Sequence, residues 1–325
     1  MNKNLFQTAV GKSIGAIRAV EWGKMDISEY NYQYISRLLP FLDYYFRIYE
    51  DAVKRLLQGK VSEGYIVDFG GGHGFLSLFL KQLGLRVIYC DNNPLSVKTV
   101  CRIKETVGFG PDVVIEGSVP ELISYCEQHQ LNVNYLIATD LIEHLYDLDM
   151  FFAGMKSLNP SLQMLFTTGS NPCNRYKSNH LRKMMKEVEL HYFLPMREEF
   201  IHKHFAELDE KESKELAVRT RGFIYSDVAI AIEAYIRGGI LPEPIDRYNT
   251  CDPQSGNWME RILPLKTYRT IAGRNGFRVK FANGFYNADK GYLGVSIAVK
   301  MLNWSISHSG ALGRVGAPYL ILQVH

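Results

Sequence analysis

Only five cysteines occur in the 325 residues, Cys90, Cys101, Cys126, Cys173 and Cys251, and none is spaced as a C-x-x-C pair. This usage offers neither a zinc ribbon nor an even disulfide framework, and it suits a reducing compartment. No apolar run approaches the roughly 18 residues of a membrane span, and Met1 to Leu5 lack the apolar core of a leader. We therefore expect a cytoplasmic protein without a membrane span. Charge is nearly balanced: 37 Lys and Arg against 34 Asp and Glu leave +3, too little to follow a phosphate backbone, so no nucleic-acid partner is expected. The basic clusters at Arg182-Lys183 and at Lys211 and Lys214 sit among Glu187, Glu189, Glu210 and Glu212, as on solvated helix faces. A P-loop is missing too, because the first glycine required ahead of Gly11-Lys12-Ser13 falls on Phe6. No set of residues at metal-ligand spacing stands out, and no metal is expected; His202-x-His204 points two ways on a helix.

What is present is concentrated between residues 65 and 91. Tyr65 to Phe69 reads as a strand, Gly70-Gly71-Gly72-His73-Gly74 as a turn, Phe75 onward as a helix, and Arg86 to Cys90 as a second strand ending at Asp91. Glycines at 70, 72 and 74 allow positive φ and a bare backbone against a ligand. A nicotinamide or flavin fingerprint needs G-x-G-x-x-G/A, but its last position falls on Phe75 or Ser77. An NAD-dependent oxidoreductase is thus the weaker reading.

The pattern Asp68-x-Gly70-x-Gly72-x-Gly74 resembles the first motif of the class I S-adenosylmethionine-dependent methyltransferases. A second block, Asn134 to Leu145, resembles the fourth-strand motif of that family: an apolar strand runs into Asp140, and Glu143-His144 follows at the start of a helix. The resemblance covers residues 62 to 170 well and 263 to 325 loosely. It implies an α/β fold with a seven-stranded Rossmann-like sheet of order 3-2-1-4-5-7-6, strand 7 antiparallel, and S-adenosyl-L-methionine as cofactor. It also implies that Gly70, Gly71, Gly72, Gly74 and Phe75 meet the methionine end, with Asp68 ordering the loop. Asp91 and Asn92 would take the ribose, since a carboxylate accepts from two vicinal hydroxyls. Gly117 and Ser118, after a third strand at Val113 to Ile115, would face the adenine, although the family often carries an Asp where Ser118 stands. Thr139 and Asp140 would complete the site.

Alternating apolar runs and amphipathic stretches from 64 to 170 fit repeated βα units, with further strands at Tyr135 to Thr139 and Gln163 to Thr168. We divide the chain into an N-terminal helical cap (1–60), a cofactor-binding core (61–170), a helical substrate insertion (171–262) and a completion of the core (263–325). In the cap, Tyr30, Tyr34, Leu38, Phe41, Tyr45 and Tyr49 recur at helical spacing; they pack on the body, wall a pocket, or both. Pro40 should interrupt or start a helix. The insertion reads as helices at Leu181 to Leu190, Glu198 to Leu216 and Ile224 to Ile236. A helix at Leu263 to Ala272 and strands at Phe277 to Phe281 and Pro318 to Val324 follow. Between those strands, Leu293 to Leu312 is an apolar, hairpin-like excursion suited to core packing, a dimer contact or peripheral contact with a membrane.

Methyl transfer needs no activation of the methyl group, so much of the acceleration can come from positioning. A hydroxyl acceptor does need a base, and a neutral histidine suits that role. His144 is the first candidate, because its motif lies beyond the carboxyl end of strand four, where open α/β sheets bind ligands. His191 and His202 in the insertion follow. The expected function is methylation of a small-molecule acceptor, at oxygen before nitrogen or carbon, in a saccharide or secondary-metabolite pathway. The alternative is a non-catalytic nucleoside-binding protein.

Overall fold

The computed structural model describes residues 3–58, 63–289 and 291–325. The boundary expected between residues 60 and 61, the start of the resemblance at 62 and Met1-Asn2 lie outside them. Three helices come first, α1 (Lys3–Ala19), α2 (Glu29–Leu38) and α3 (Leu42–Leu57). The Ser28 hydroxyl caps α2 by accepting from the Asn31 amide at 3.2 Å. Pro40 sits in a 3₁₀ turn, Leu39–Phe41, between α2 and α3, as its missing N–H requires.

The βα rhythm then holds: β1 (Tyr65–Phe69), α4 (Phe75–Gln82), β2 (Arg86–Asp91), α5 (Pro94–Val107), β3 (Val113–Glu116), α6 (Val119–Gln128), β4 (Val133–Thr139), α7 (Leu148–Leu158) and β5 (Gln163–Thr168). Asn93 caps α5 and Pro94 occupies its first turn. After the insertion come α12 (Leu265–Arg274), β6 (Val279–Asn283), α13 (Leu293–His308), α14 (Gly310–Gly313) and β7 (Leu320–Val324); the insertion itself holds α8 (Arg175–Val188), α9 (Leu194–His204), α10 (Glu210–Arg219) and α11 (Tyr225–Gly238).

The strands form one sheet in the order β3-β2-β1-β4-β5-β7-β6. β7 is antiparallel to both neighbours, pairing Phe166 with Leu322 and Phe281 with Leu322. Side chains alternate across the pleat. Ile66, Val87, Ile137 and Leu165 pack with Phe6, Phe46 and Phe79 on one face, while Val67, Ile88, Leu136 and Phe166 pack with Leu122, Phe152 and Tyr268 on the other. Helices thus cover both faces, which is why these strands read as continuous apolar runs.

Three expectations are corrected. The helix expected from Glu198 to Leu216 is two helices, because Asp209 opens α10 with a capping box to Glu212. The helix expected from Leu181 to Leu190 ends at Val188 and continues as a π turn, Glu189–Phe193, into α9. The excursion at 293–312 is helical and not hairpin-like, and its outer stripe, Leu293, Met301 and Trp304, is 79%, 67% and 65% exposed. Among the described residues, no helix is long and apolar enough to cross a membrane.

Candidate functional site

The carboxyl ends of β1, β2 and β4 open into two cavities that meet at Gly70 and His144. The turn after β1 is shaped by close approaches. A Cβ on Gly74 would lie 2.3 Å from the Val100 side chain, so this glycine lets α4 pack on α5. Gly72, at φ +52°, has nothing within 4 Å of its Cβ position; a side chain there would project into the cleft.

The loop is pinned from β2. One Asp91 carboxylate oxygen accepts from the Gly72 amide at 2.8 Å and the other from the Asn93 amide at 2.8 Å. The Tyr89 hydroxyl donates to the Gly72 carbonyl at 2.6 Å. Burial raises the Asp91 carboxyl, with the Asn93 and Gly72 amides opposing it. Each oxygen retains a free lone pair, because a carboxylate offers about four acceptor sites.

Asp91, Asn92, Gly117 and Ser118 line one cavity of about 700 Å³. Its walls include the apolar Val119, Ile123, Leu141, Met150 and Phe151. The Ser118 amide and hydroxyl both donate to Glu121, at 2.7 and 2.9 Å, so the hydroxyl proton is engaged in capping α6.

The other cavity, of about 600 Å³, is lined by Gly70, Gly71, Gly72, Thr139 and Asp140 from the core. The N-terminal helices contribute Tyr30, Tyr34, Leu38, Tyr44, Tyr45 and Tyr49; of the aromatic stripe, Phe41 is 50% exposed and does not line the pocket. Lys177, Leu181 and Glu260 come from the insertion. Burial pushes Tyr34 and Tyr44 up to about 12, and the Tyr44 hydroxyl donates to the Phe285 carbonyl at 2.9 Å.

Asp140 sits at φ +50°, a conformation costing a non-glycine residue about 1 kcal/mol, and its amide donates to the Thr167 carbonyl at 3.0 Å. Such backbone concentrates at functional sites. The cleft walls raise its carboxyl, with Glu260 adding to the rise and Lys177 and His144 opposing it. Glu143, 1% exposed, accepts from the Gly169 amide at 3.0 Å through Oε1, while Oε2 has no hydrogen-bond partner among the described residues. Burial, then the neighbouring Asp140, holds its carboxyl well above the usual range.

Two histidines line the second cavity, in opposite tautomers. His73 Nδ1 accepts from the Phe75 amide at 3.2 Å, which puts its proton on Nε2, and burial pulls the ring down to about 3. His144 Nδ1 lies 2.7 Å from the Trp258 carbonyl. A carbonyl only accepts, so Nδ1 carries the hydrogen and Nε2 keeps its lone pair. The Trp258 amide returns a bond to the His144 carbonyl at 3.1 Å, and the Arg261 amide bonds the Glu143 carbonyl at 3.1 Å.

Several expected site residues lie elsewhere. Asp68 is buried beneath the turn, accepting from the Ser77 hydroxyl at 2.6 Å. Phe75 is buried against Trp22 at 6.0 Å. Neither they nor Gly74 line the two cavities. His191 is exposed, facing Glu187 at 3.4 Å, and His202 is exposed on α9; neither lines the two cavities. Glu143 and His144 do not open a helix: they lie in a turn, and α7 starts at Leu148 behind the Asp147 cap. The sequence reading missed Glu260 and Lys177, which carry no local motif, and Tyr44, which stands outside the stripe.

No family model matches the chain, and no curated protein matches it. Among solved structures it is similar to phosphoethanolamine N-methyltransferase 2 of Haemonchus contortus in complex with S-adenosyl-L-methionine, with 11% identity over 86% of this chain and 52% of that one and a TM-score of 0.40. It is also similar to magnesium protoporphyrin IX methyltransferase of Synechocystis PCC 6803 with bound SAH (13% identity, 86% and 81% covered, TM-score 0.37). A third likeness is to TehB from Haemophilus influenzae (20% identity, 36% and 40% covered, TM-score 0.28). The chain thus spans about half of the Haemonchus protein and less of TehB. At TM-scores of this size the superpositions are loose, and the strand order alone fixes the architecture. With β7 antiparallel between β5 and β6, the chain has the Rossmann-like fold of the class I S-adenosylmethionine-dependent methyltransferases.

Proposed function

We propose that this protein transfers the methyl group of S-adenosyl-L-methionine to a hydroxyl of a small-molecule acceptor. The observation that carries this reading is the pairing of Asp91 with the Gly72 amide beside an apolar slot. The open space at the Cβ position of Gly72 fits a ligand pressed against bare backbone, and Asp91 has lone pairs for two ribose hydroxyls. Gly117, Ser118 and the apolar walls would hold the adenine, and Gly70 to Gly72, Thr139 and Asp140 the methionine end. When bound, the cofactor supplies an electrophilic methyl on a sulfonium.

The rest falls to the chain. His144, which lines the cavity with Nδ1 engaged by the Trp258 carbonyl, would take the acceptor proton on Nε2. The tyrosine wall of the cap and the insertion exclude water and orient the hydroxyl, and this positioning supplies much of the rate. We accordingly assign residues 1–60 to a cap, 61–170 and 263–325 to the cofactor core, and 171–262 to an acceptor-binding insertion.

Calorimetric titration with S-adenosylhomocysteine tests the reading. The parent should bind, and Asp91→Ala should bind at least about tenfold more weakly, since hydrogen bonds to a charged group contribute about 1.5–3 kcal/mol. Equal affinity in the two proteins refutes the assignment.

A further inference from the structure

A third cavity, of about 690 Å³, lies outside the acceptor end of the site. It shares Tyr30, Tyr34, His144 and Glu260 with the tyrosine-walled cavity but includes none of the glycine turn. Gln33, Arg37, Phe193, Asp252, Trp258 and Met259 line this cavity and neither of the other two.

Two features define its chemistry. Tyr30 and Tyr34, one turn apart on α2, hold their rings parallel within 5° at 6.4 Å, and they are 66% and 45% exposed. Opposite and beside them stand side chains with planar polar ends and unspent capacity. Arg37 and Asn257 line the cavity and make no side-chain hydrogen bond among the described residues. Glu260 receives the Ser170 hydroxyl on Oε2 at 2.9 Å, which leaves Oε1 open. Gln33 gives its amide N–H to Glu29 at 2.8 Å and keeps its oxygen. Arg37, Glu260 and Asp252 all line this cavity, so both signs are present and no single ionic group of a ligand is favoured.

The exposed Tyr30 ring, stacked on Tyr34, which in turn stacks on His73 at 5.8 Å, stands among amide, carboxylate and guanidinium groups, a set that matches a ring with an apolar face and many hydroxyls at its rim. The aromatic face takes the C–H surface, and each planar group bridges two neighbouring hydroxyls, as bidentate partners do. We infer that the acceptor is a saccharide, with a pyranose ring seated on Tyr30 and held by Arg37, Asn257 and Glu260. The hydroxyl to be methylated is then delivered to His144 Nε2. This inference rests on the methyltransferase reading and deepens it by naming the acceptor class.

The test uses the full chain saturated with S-adenosylhomocysteine, so the cofactor half is measured first; failure of that step refutes the underlying reading. A panel of methyl glycosides of the common hexoses, deoxyhexoses and N-acetylhexosamines is then screened by saturation-transfer NMR, with cyclohexanol and tetramethylammonium as controls. At least one pyranoside should bind through its ring C–H protons, and neither control should match it. Tyr30→Ser and Arg37→Met should each weaken that pyranoside about tenfold, the loss expected for one charge-assisted hydrogen bond or aromatic contact, and Arg37→Met, outside both cofactor cavities, should leave S-adenosylhomocysteine affinity unchanged. The saccharide assignment is overturned if no pyranoside of the panel binds the loaded protein, if a control binds as well, or if both variants retain parental affinity.

Discussion

His144 and Trp258, 114 residues apart in sequence, exchange two hydrogen bonds: the imidazole Nδ1 meets the Trp258 carbonyl at 2.7 Å, and the Trp258 amide donates to the His144 carbonyl at 3.1 Å. The far end of the insertion thereby sets which imidazole nitrogen is basic. Trp258 is itself held by stacking on Tyr146 at 6.2 Å and by the Arg261 guanidinium 4.2 Å from its ring.

His144→Gln should therefore lower methyl transfer by about 10²–10⁴, the range of general-base catalysis, while cofactor affinity stays within about twofold. Initial rates at saturating cofactor, beside a calorimetric titration, separate these effects. A variant as active as the parent removes His144 from the chemistry.

Two neighbouring glycines should fail in different ways. Gly72→Val projects into the cleft, so it should abolish binding of S-adenosylhomocysteine, with a stability loss limited to the strain of positive φ, about 1–2 kcal/mol. Gly74→Val meets Val100 and must displace α4 from α5, so it should cost more in folding. Paired thermal melts and titrations of the two variants read the contrast directly.

The buried Asp68 carboxyl makes stability depend on pH. Burial lifts it from the ordinary 3.8 to about 7, against the Ser77 hydrogen bond. Between those values the folded state holds the proton and the unfolded state does not, so stability is full below pH 4, falls as pH rises toward 7, and is level above. Each pH unit across that window corresponds to about 1.4 kcal/mol, so the penalty at pH 8 is on the order of 2–4 kcal/mol. Asp68→Asn keeps an acceptor for Ser77 and cannot ionise. It should gain stability over the parent at pH 8 by more than at pH 4 in melts of the ligand-free protein.

Arg197 is fully buried at the start of the insertion, bonded to Glu189 and to the Ala217 carbonyl at 3.0 Å, while the Thr250 hydroxyl also donates to Glu189. Arg197→Ala strands a buried carboxylate and should cost about 3–5 kcal/mol in urea unfolding. Replacing both partners by Met should recover a large part of that loss.

The core was legible because its strands are short, apolar on both faces and punctuated by turn residues. Tyr65–Phe69 and Gln163–Thr168 run as read, and the remaining strands shift by about one or two residues at an end, where pairing and not composition decides. α13 was misjudged because apolar residues surround it on several sides, leaving no clean stripe to mark a helix. At the site, Asp91 and the glycines carry a local spacing that can be read. Lys177 and Glu260 reach the cavity only through the fold of the insertion, and Phe75 was miscast because a motif position does not reveal which way its side chain turns.

The place of β7 governs how the molecule can assemble. Residues 320–324 fill the space between β5 and β6, so the Met164-Leu165-Phe166-Thr167 edge has no partner on that side until the chain from 168 to 320 has found its path. Such distant pairing is slow, and an uncovered apolar edge invites a neighbouring chain to add itself. Renaturation yield should therefore drop as protein concentration rises, with intermolecular pairing at β5 as the competing route.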